Sequence, residues 1–213
     1  MRSYAQHCGL AKALDVVGDR WTLLIVRELL ILGACRYTDL QKGLGGIATN
    51  LLATRLKELE ETGVVQREEA PPPAPATLFR LTQRGRDLEP VLAALGRWGA
   101  PLLKKRSRSD AFHPHWLALP MKLYLRDRAP ERPPVGIQLR MGTDALVLET
   151  SGDGGVNTRM GSVDRPDATV SGAPETILQM FTGAISIAEA RGKGVRAEGD
   201  EAAVERLLPG ERS

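Results

Sequence analysis

The chain has 213 residues, of which 42% are hydrophobic and 26% are charged, a composition typical of water-soluble globular proteins. No apolar run approaches the roughly 20 residues that a membrane-spanning helix needs, and the N-terminus lacks a secretory apolar core. We therefore expect a cytoplasmic protein that does not enter membranes. Residues 1–106 carry 16 basic and 11 acidic side chains, whereas the remainder carries 13 and 15. The first half is thus the part suited to a polyanionic partner.

The first half is predicted to contain four helices, a strand hairpin and a final helix. AKALDVVGDRW and the almost wholly apolar WTLLIVRELLILG indicate the first two helices. The third, in RYTDLQKGLGG, is brief and is expected to have Thr38 as its N-cap. VVQREE and TLFRLT are predicted strands joined by the proline-rich APPPAPA. Thr82 is expected to cap one last helix that extends to about residue 103.

The fourth helix, over residues 49–60, has two contrasting faces. Leucines at 52, 56 and 59 have the spacing of one buried helical face. The outer face begins with small or hydrogen-bonding residues and ends with glutamates at 58, 60 and 61, although the helix macrodipole favours basic residues there. Two short helices and a hairpin are the plan of a winged helix-turn-helix, whose second helix enters the major groove. The acidic end would then have to point away from DNA; the alternative is an ordinary solvated face.

A resemblance supports the DNA-binding interpretation. From Cys8 to about Leu103 the chain resembles the HxlR type of bacterial regulator, a relative of the MarR winged helices. The matching stretches, in order, are CGLAKALDVVGDRWTLLIVRELL, RYTDLQKGLGGI, LLATRLKELEETGVVQRE and FRLTQRGRDLEPVLAALGRWG. The resemblance implies a homodimer, built from the terminal helices, that binds an inverted repeat in double-stranded operator DNA. We expect the DNA contacts to come from Arg36, Thr38, Thr49, Asn50, Thr54, Lys57 and Arg80.

Three further features of the first half lead to expectations. The wing REEAPPPAPATLFR is less basic than is usual for this type, which predicts weaker DNA binding or a different preferred sequence. The stripe formed by Leu92, Leu95 and Trp98 indicates either a dimer contact or a core role within one subunit. Cys8 corresponds to a cysteine that senses oxidants in some members of the HxlR type, and it is a candidate thiol sensor. The alternative is a cysteine packed in the dimer interface.

The second half, residues 107–213, has the alternating strands and helices of an α+β domain. DATVSGAPETILQMFTGAISIAEARGKGVRAEGDEAAVERLL resembles the C-terminal part of sterol carrier protein type 2 domains. That resemblance implies a sheet and helices around an apolar tunnel for a lipid-like ligand. The expected lining residues, which could equally be plain core, are Leu178, Met180, Phe181 and Ile185.

No catalytic set is evident in the sequence, and we expect neither an enzyme nor a cofactor. The histidine pair in HPH lacks the companions of a metal site, and no Gly-x-Ser-x-Gly elbow is present. The leading hypothesis is a dimeric transcriptional regulator controlled by a small apolar ligand in its C-terminal domain. The alternative is a lipid-binding carrier whose winged helix serves only for dimerisation.

Overall fold

The computed structural model describes residues 3–70, 75–104 and 110–209. The chain forms two compact units, Met1–Ala111 and Phe112–Ser213. The expected domain boundary, between residues 106 and 107, lies outside the described residues. Within the described ranges, no helix combines the length and apolarity required to cross a bilayer.

The N-terminal unit is a bundle of helices with a small sheet. Strands β2 and β3 pair as an antiparallel hairpin. A two-residue strand, β1, pairs with the free edge of β3, which gives the order β1-β3-β2. The elements follow one another as α1 (Gly9–Val17), α2 (Thr22–Leu32), β1 (Cys35–Arg36), α3 (Tyr37–Leu44), α4 (Thr49–Glu61), β2 (Val65–Glu69), β3 (Thr77–Leu81), α5 (Gln83–Arg86) and α6 (Glu89–Gly99), with a 3-10 turn over Ala100–Lys104. Helices and hairpin therefore follow the predicted order, with α3 and α4 as the helix-turn-helix.

The hydrophobic core of this unit contains residues from its helices and from the hairpin. The inner face of α4 is fully buried, as the leucine spacing predicted, and it packs in one cluster with α2, α3 and the hairpin. Those elements contribute, among others, Ile25, Leu40, Leu52, Leu56, Leu59, Val65, Phe79 and Leu81. Burying several large apolar side chains contributes roughly 1.5–3 kcal/mol for each, so this cluster fixes which face of α4 points outward.

Two predicted helix boundaries are wrong in this unit. Helix α3 begins at Tyr37, one residue before Thr38, because the carboxylate of Asp39 accepts a hydrogen bond from the Arg36 backbone N–H at 3.1 Å. The expected single helix over 83–103 is divided into α5 and α6. Thr82 does cap α5, since its hydroxyl accepts from the Gly85 N–H at 3.1 Å. Pro90 lies in the first turn of α6, where its missing N–H costs nothing, so a new helix starts there.

The C-terminal unit is a five-stranded mixed sheet with helices, in the strand order β6-β5-β4-β7-β8. Strands β4 and β7 are parallel, and the other neighbours are antiparallel. Its elements are a 3-10 turn (Pro114–Leu117), α7 (Ala118–Tyr124), β4 (Gly136–Met141), β5 (Asp144–Thr150), β6 (Val156–Met160), β7 (Ala168–Ser171), α8 (Pro174–Phe181), α9 (Ile187–Gly192), β8 (Arg196–Gly199) and α10 (Glu201–Leu207). The expected mixture of strands and helices is confirmed; its sterol-carrier identity stays a prediction.

The sequence predicts the start of one helix in this unit correctly and the course of another wrongly. The segment DEAAVERLL predicts a closing helix capped by Asp200, and Asp200 does cap α10, because its carboxylate accepts from the Ala202 N–H at 2.9 Å. The segment HPHWLALPMKLYL predicts a short helix interrupted at Pro120, which is wrong, since Pro120 lies in the first turn of α7. An N–H in the first turn has no intrahelical partner, so proline is tolerated there.

A buried ion pair holds α10 against a preceding loop. Arg206 Nε and Nη2 donate to the Asp127 carboxylate at 3.0 and 2.5 Å, and Arg206 Nη1 donates to the Pro133 carbonyl at 2.9 Å. Asp127 is almost wholly buried, and hydrogen bonding from Arg206 lowers the pKa of its carboxyl group. A group whose pKa is lowered by folding stabilises the protein above its unfolded pKa, and this contribution is lost as the pH falls through the folded value.

Candidate nucleic-acid interface

The outward face of α4 carries hydrogen-bonding side chains in one row. Asn50, Thr54 and Lys57 follow at helical spacing, and all three are exposed. The Thr54 hydroxyl donates to the Asn50 carbonyl at 2.8 Å, so its oxygen lone pairs face outward as acceptors. The row therefore offers an amide, a hydroxyl oxygen and an ammonium group to a partner, on a helix whose opposite face is locked in the core.

The turn between α3 and α4 is fixed by two side chains of α3. The Tyr37 hydroxyl donates to the Thr49 carbonyl at 2.7 Å, and Gln41 Nε2 donates to Thr49 Oγ1 at 2.9 Å. Thr49 is the first residue of α4, so both contacts hold the N-terminal end of that helix. Tyr37 and Gln41 were not predicted as site residues, because pairing across a turn depends on the angle between the helices. Thr38 is exposed on the same short helix α3.

The glutamates at the end of α4 are all engaged by basic residues. Within α4, Glu58 accepts from Arg55 Nη1 at 2.5 Å, and Glu61 lies 3.9 Å from Lys57 Nζ. Glu60 instead lies 2.8 Å from Arg67 Nη2, on strand β2. The acidic end of α4 therefore neutralises neighbouring cations and connects the helix to the hairpin.

Arg67 makes a second contact that strengthens this connection. Its guanidinium lies 5.3 Å from the centre of the Phe79 ring, on β3. Phe79 is buried and is paired with Arg67 in the strand register. The Arg67 side chain, on β2, thus contacts both α4 and β3, so the hairpin and α4 form one continuous surface.

The outer face of the hairpin brings together two of the residues expected to contact DNA. Arg36 pairs with Leu78 on one side of β3, and Glu68 pairs with Leu78 on the other. Arg80 follows two residues after Leu78, so it lies on the same face of the sheet. Arg36 and Arg80 are both exposed there, and the carboxylate of Glu68 lies beside Arg80. The tip of the wing, residues 71–74, lies outside the described residues.

Comparison with known proteins identifies this half of the chain. The model of the HxlR-like helix-turn-helix family matches residues 16–107. An uncharacterised HTH-type transcriptional regulator of Synechocystis is 34% identical over 100 residues, which cover 47% of this chain and 73% of that protein. The chain belongs to the HxlR-like helix-turn-helix family. YvaP, an uncharacterised HTH-type transcriptional regulator of Bacillus subtilis, is 37% identical over 87 residues, which cover 41% of this chain and 80% of YvaP.

Solved structures also match part of this HxlR-like chain. The reduced form of the transcriptional regulator YodB from B. subtilis is 27% identical, with a TM-score of 0.41. The alignment covers 48% of this chain and 100% of that one. The family match ends at residue 107 and does not include the C-terminal unit.

The predicted ligand-lining residues of this unit differ in their exposure to solvent. Met180 and Phe181 are buried, whereas Leu178 and Ile185 are half-buried. A cavity of about 20 Å³ touches Met180 but none of the other three, and its lining also includes Ile187, Arg191, Val195, Ala197, Glu201, Val204 and Glu205. A space of that size has room for about one water molecule and not for a lipid-like ligand.

A larger opening lies beside α4 and was missed from the sequence. It is a cleft of about 660 Å³, lined by Ser3, Tyr4, Leu14, Asp15, Gly18, Asp19, Arg55 and Glu58. Arg55 forms an ion pair across it with Asp19, which follows α1. No local pattern could have revealed that pair, because its members are 36 residues apart.

The described residues contain no cluster of three or more histidine, cysteine or acidic side chains arranged to hold a metal ion. His113 and His115 instead contact the Trp116 ring edge to face, and the centres of the His113 and Trp116 rings are 4.8 Å apart.

The two thiols of the HxlR-like chain are in opposite environments. Cys8 is exposed at the N-cap of α1, and the nearby backbone N–H groups of Ala11 and Leu10 lower the pKa of its thiol. Cys35 is buried in the core, and burial, reinforced by the charges of Asp39 and Glu28, raises the pKa of its thiol to about 12. A thiolate is the reactive form, so only Cys8 has the chemistry of a sensor.

We expect alkylation to separate the two thiols in the native protein. With iodoacetamide near neutral pH, Cys8 should react first, because its lowered pKa increases the thiolate fraction and its sulfur is open to solvent. Cys35 should stay protonated and unmodified until denaturant is added. Peptide mass spectrometry over time measures both rates, and Cys8→Ser is the control that should remove the fast phase. Comparable rates for the two thiols would contradict these environments.

Proposed function

We propose that the protein is a DNA-binding transcriptional regulator in which the outer face of α4 enters the major groove. The observation that carries the proposal is the exposed row Asn50, Thr54 and Lys57, held outward by the buried leucines of the same helix. Membership of the HxlR-like helix-turn-helix family supports it, as do the names of the relatives, which are transcriptional regulators and not enzymes.

The chemistry of the row divides into two tasks. An asparagine amide can both donate to and accept from a base edge, and a threonine can contact a base edge or a phosphate. Lysine is suited to phosphate, as are the arginines of the hairpin face, Arg36 and Arg80. Thr49 and Thr38 lie at the ends of α4 and α3 near this face, and we assign them to the phosphate backbone. Base contacts would then specify sequence, while phosphate contacts would position the protein.

Substitutions on α4 should separate these tasks. Asn50→Ala or Thr54→Ala should cost about 1–3 kcal/mol on the recognised sequence if that side chain reads a base, with a smaller loss on unrelated DNA. Lys57→Ala should weaken binding to all sequences alike and flatten its salt dependence. Gel-shift titrations with the DNA beside its own gene and with an unrelated duplex measure both effects. Lys193→Ala, an exposed lysine of the other unit, is the matched control. Unchanged affinity in all three α4 variants would contradict the assignment.

We further propose that the active form is a homodimer built through α6. Val91, Leu95, Trp98 and Leu102 follow at helical spacing, and each is exposed, Trp98 to 77%. Leu92 lies on the other side of α6 and packs on the core, so the core role considered from the sequence applies to Leu92 and not to Trp98. An exposed apolar stripe of this extent favours burial against a second copy, and large aromatic side chains are frequent anchors in such contacts.

Trp98→Ala should shift the protein from dimer to monomer. Truncating an interface anchor typically costs at least 2 kcal/mol, which weakens association about thirty-fold. Sedimentation velocity at low micromolar concentration measures the change. Tyr124→Ala, an exposed aromatic residue of the other unit, should leave the mass unchanged. A Trp98 variant that sediments like the unsubstituted protein would count against α6 as the interface.

We also propose that a small apolar ligand controls the regulator through the C-terminal unit. Support comes from the apolar residues of α8 and the loop after it. Typical ligand pockets measure about 300–1,000 Å³, whereas the cavity beside Met180 measures about 20 Å³. Ligand entry therefore requires the space beside Met180 to open. A carrier that uses the winged helix only for dimerisation would need the same opening and would leave the outer face of α4 without a role.

Apolar ligands should bind only with an accompanying change in the C-terminal unit. Calorimetry with fatty acyl and sterol-like compounds should give a negative heat-capacity change, and hydrogen exchange should become faster or slower at α8. DNA affinity should change by about 5- to 150-fold if the two sites are coupled. Phe181→Ala should alter ligand affinity, whereas Leu51→Ala in the other unit should not. No heat of binding with any compound would refute ligand control while leaving the DNA-binding proposal intact.

A further inference from the structure

The exposed face of the wing hairpin carries a cation that is already paired. Arg80 Nε lies 2.6 Å from Glu68 Oε2, on the neighbouring strand. Gln66, directly opposite Arg80 in the register, accepts from Arg80 Nη2 at 2.7 Å when its amide oxygen faces the guanidinium. The side of Arg80 that would meet a phosphate is therefore held by two acceptors of its own hairpin.

The pair is open to solvent and can be exchanged for a different partner. The side chains of Arg80 and Glu68 are 46% and 37% exposed. Exposed ion pairs are weak, because water competes for both charges. A phosphate that approaches the hairpin face can therefore displace Glu68 from Arg80. Opening the pair costs free energy, so the net gain from a phosphate contact of Arg80 is lower than it would be for an unpaired arginine.

We propose that Glu68 sets the DNA affinity of the wing by holding Arg80 in an intramolecular ion pair that has to open on binding. The proposal rests on the proposed DNA-binding function and adds a residue that limits it. Glu68 acts through Arg80 and does not itself touch DNA. It is therefore a positioning residue whose removal strengthens binding, unlike the residues of α4, whose removal weakens it.

The neighbouring glutamate provides a control of equal charge. Glu69 pairs with Thr77 in the register, and its carboxylate accepts from the Thr77 hydroxyl at 3.0 Å. Since side chains alternate along a strand, Glu69 lies on the face of the hairpin opposite to Glu68 and Arg80. Glu69→Gln changes the net charge of the protein as much as Glu68→Gln does, but it leaves the ion pair of Arg80 untouched.

The test compares Glu68→Gln, Glu69→Gln, Arg80→Ala and the double variant Glu68→Gln/Arg80→Ala in the full chain. The probes are the DNA beside its own gene and an unrelated duplex, titrated at several salt concentrations. Glu68→Gln should bind both duplexes about two- to five-fold more tightly at low salt, the range that the loss of an exposed pair allows. The steepness of its salt dependence should stay close to that of the unsubstituted protein, because Arg80 contacts the same phosphate in both complexes. Glu69→Gln should stay close to the unsubstituted protein in both measurements.

The double variant decides whether Glu68 acts through Arg80. Without Arg80, Glu68→Gln should give no gain. Equal gains for the two glutamate variants, or a gain that persists without Arg80, would overturn the proposal and indicate a general charge effect. No gain for Glu68→Gln, in a protein with an unchanged circular dichroism spectrum, would also overturn it. If no protein binds either duplex, the DNA-binding proposal itself fails. If the unsubstituted protein binds DNA and Glu68→Gln gains nothing, only the role of Glu68 fails.

Discussion

Burial of one face of α4 is the constraint on which the N-terminal unit depends. Leu52, Leu56 and Leu59 leave almost no surface to solvent, and the same cluster contains side chains of α2, α3 and the hairpin. Rotation of α4 about its axis would expose these leucines, so the direction of the outer face is set by the apolar core. The polar contacts around it refine this arrangement: Tyr37 and Gln41 hold the start of α4, while Arg67 joins its end to the wing.

Features set by neighbouring residues could be predicted from the sequence, and features set by distant residues could not. The caps Thr82 and Asp200 and the leucine face of α4 follow from local spacing. Thr38 is not the cap because α3 already begins at Tyr37, where the Asp39 carboxylate accepts from the Arg36 N–H. The ion pair of Arg206 with Asp127 joins residues 79 apart in the chain, and no local pattern determines such a meeting.

The candidate site shows the same division. All seven residues expected to contact DNA are exposed, because exposure follows from helical and strand periodicity. Their counter-ions were not predicted: only the strand register brings Glu68 beside Arg80, and only the packing of α4 on the hairpin brings Glu60 beside Arg67. In the C-terminal unit, the four predicted ligand-lining residues stay a prediction. Whether they line a tunnel or fill a core depends on packing between elements, which composition does not specify.

The contact of Arg67 with Glu60 and Phe79 has a consequence for how this scaffold can diversify. Arg67 joins α4 to the hairpin through contacts on the side away from the outer face. The residues of the outer face are therefore not needed to hold α4 and the hairpin together. Exchanging Asn50, Thr54 or Arg36 for other polar residues leaves the leucine cluster and the Arg67 contacts unaltered. The outward side chains of this scaffold can therefore change without a compensating change in the interior. Polar substitutions at the outer face should cost little stability, so this face is the part of the unit with the greatest freedom to vary in sequence.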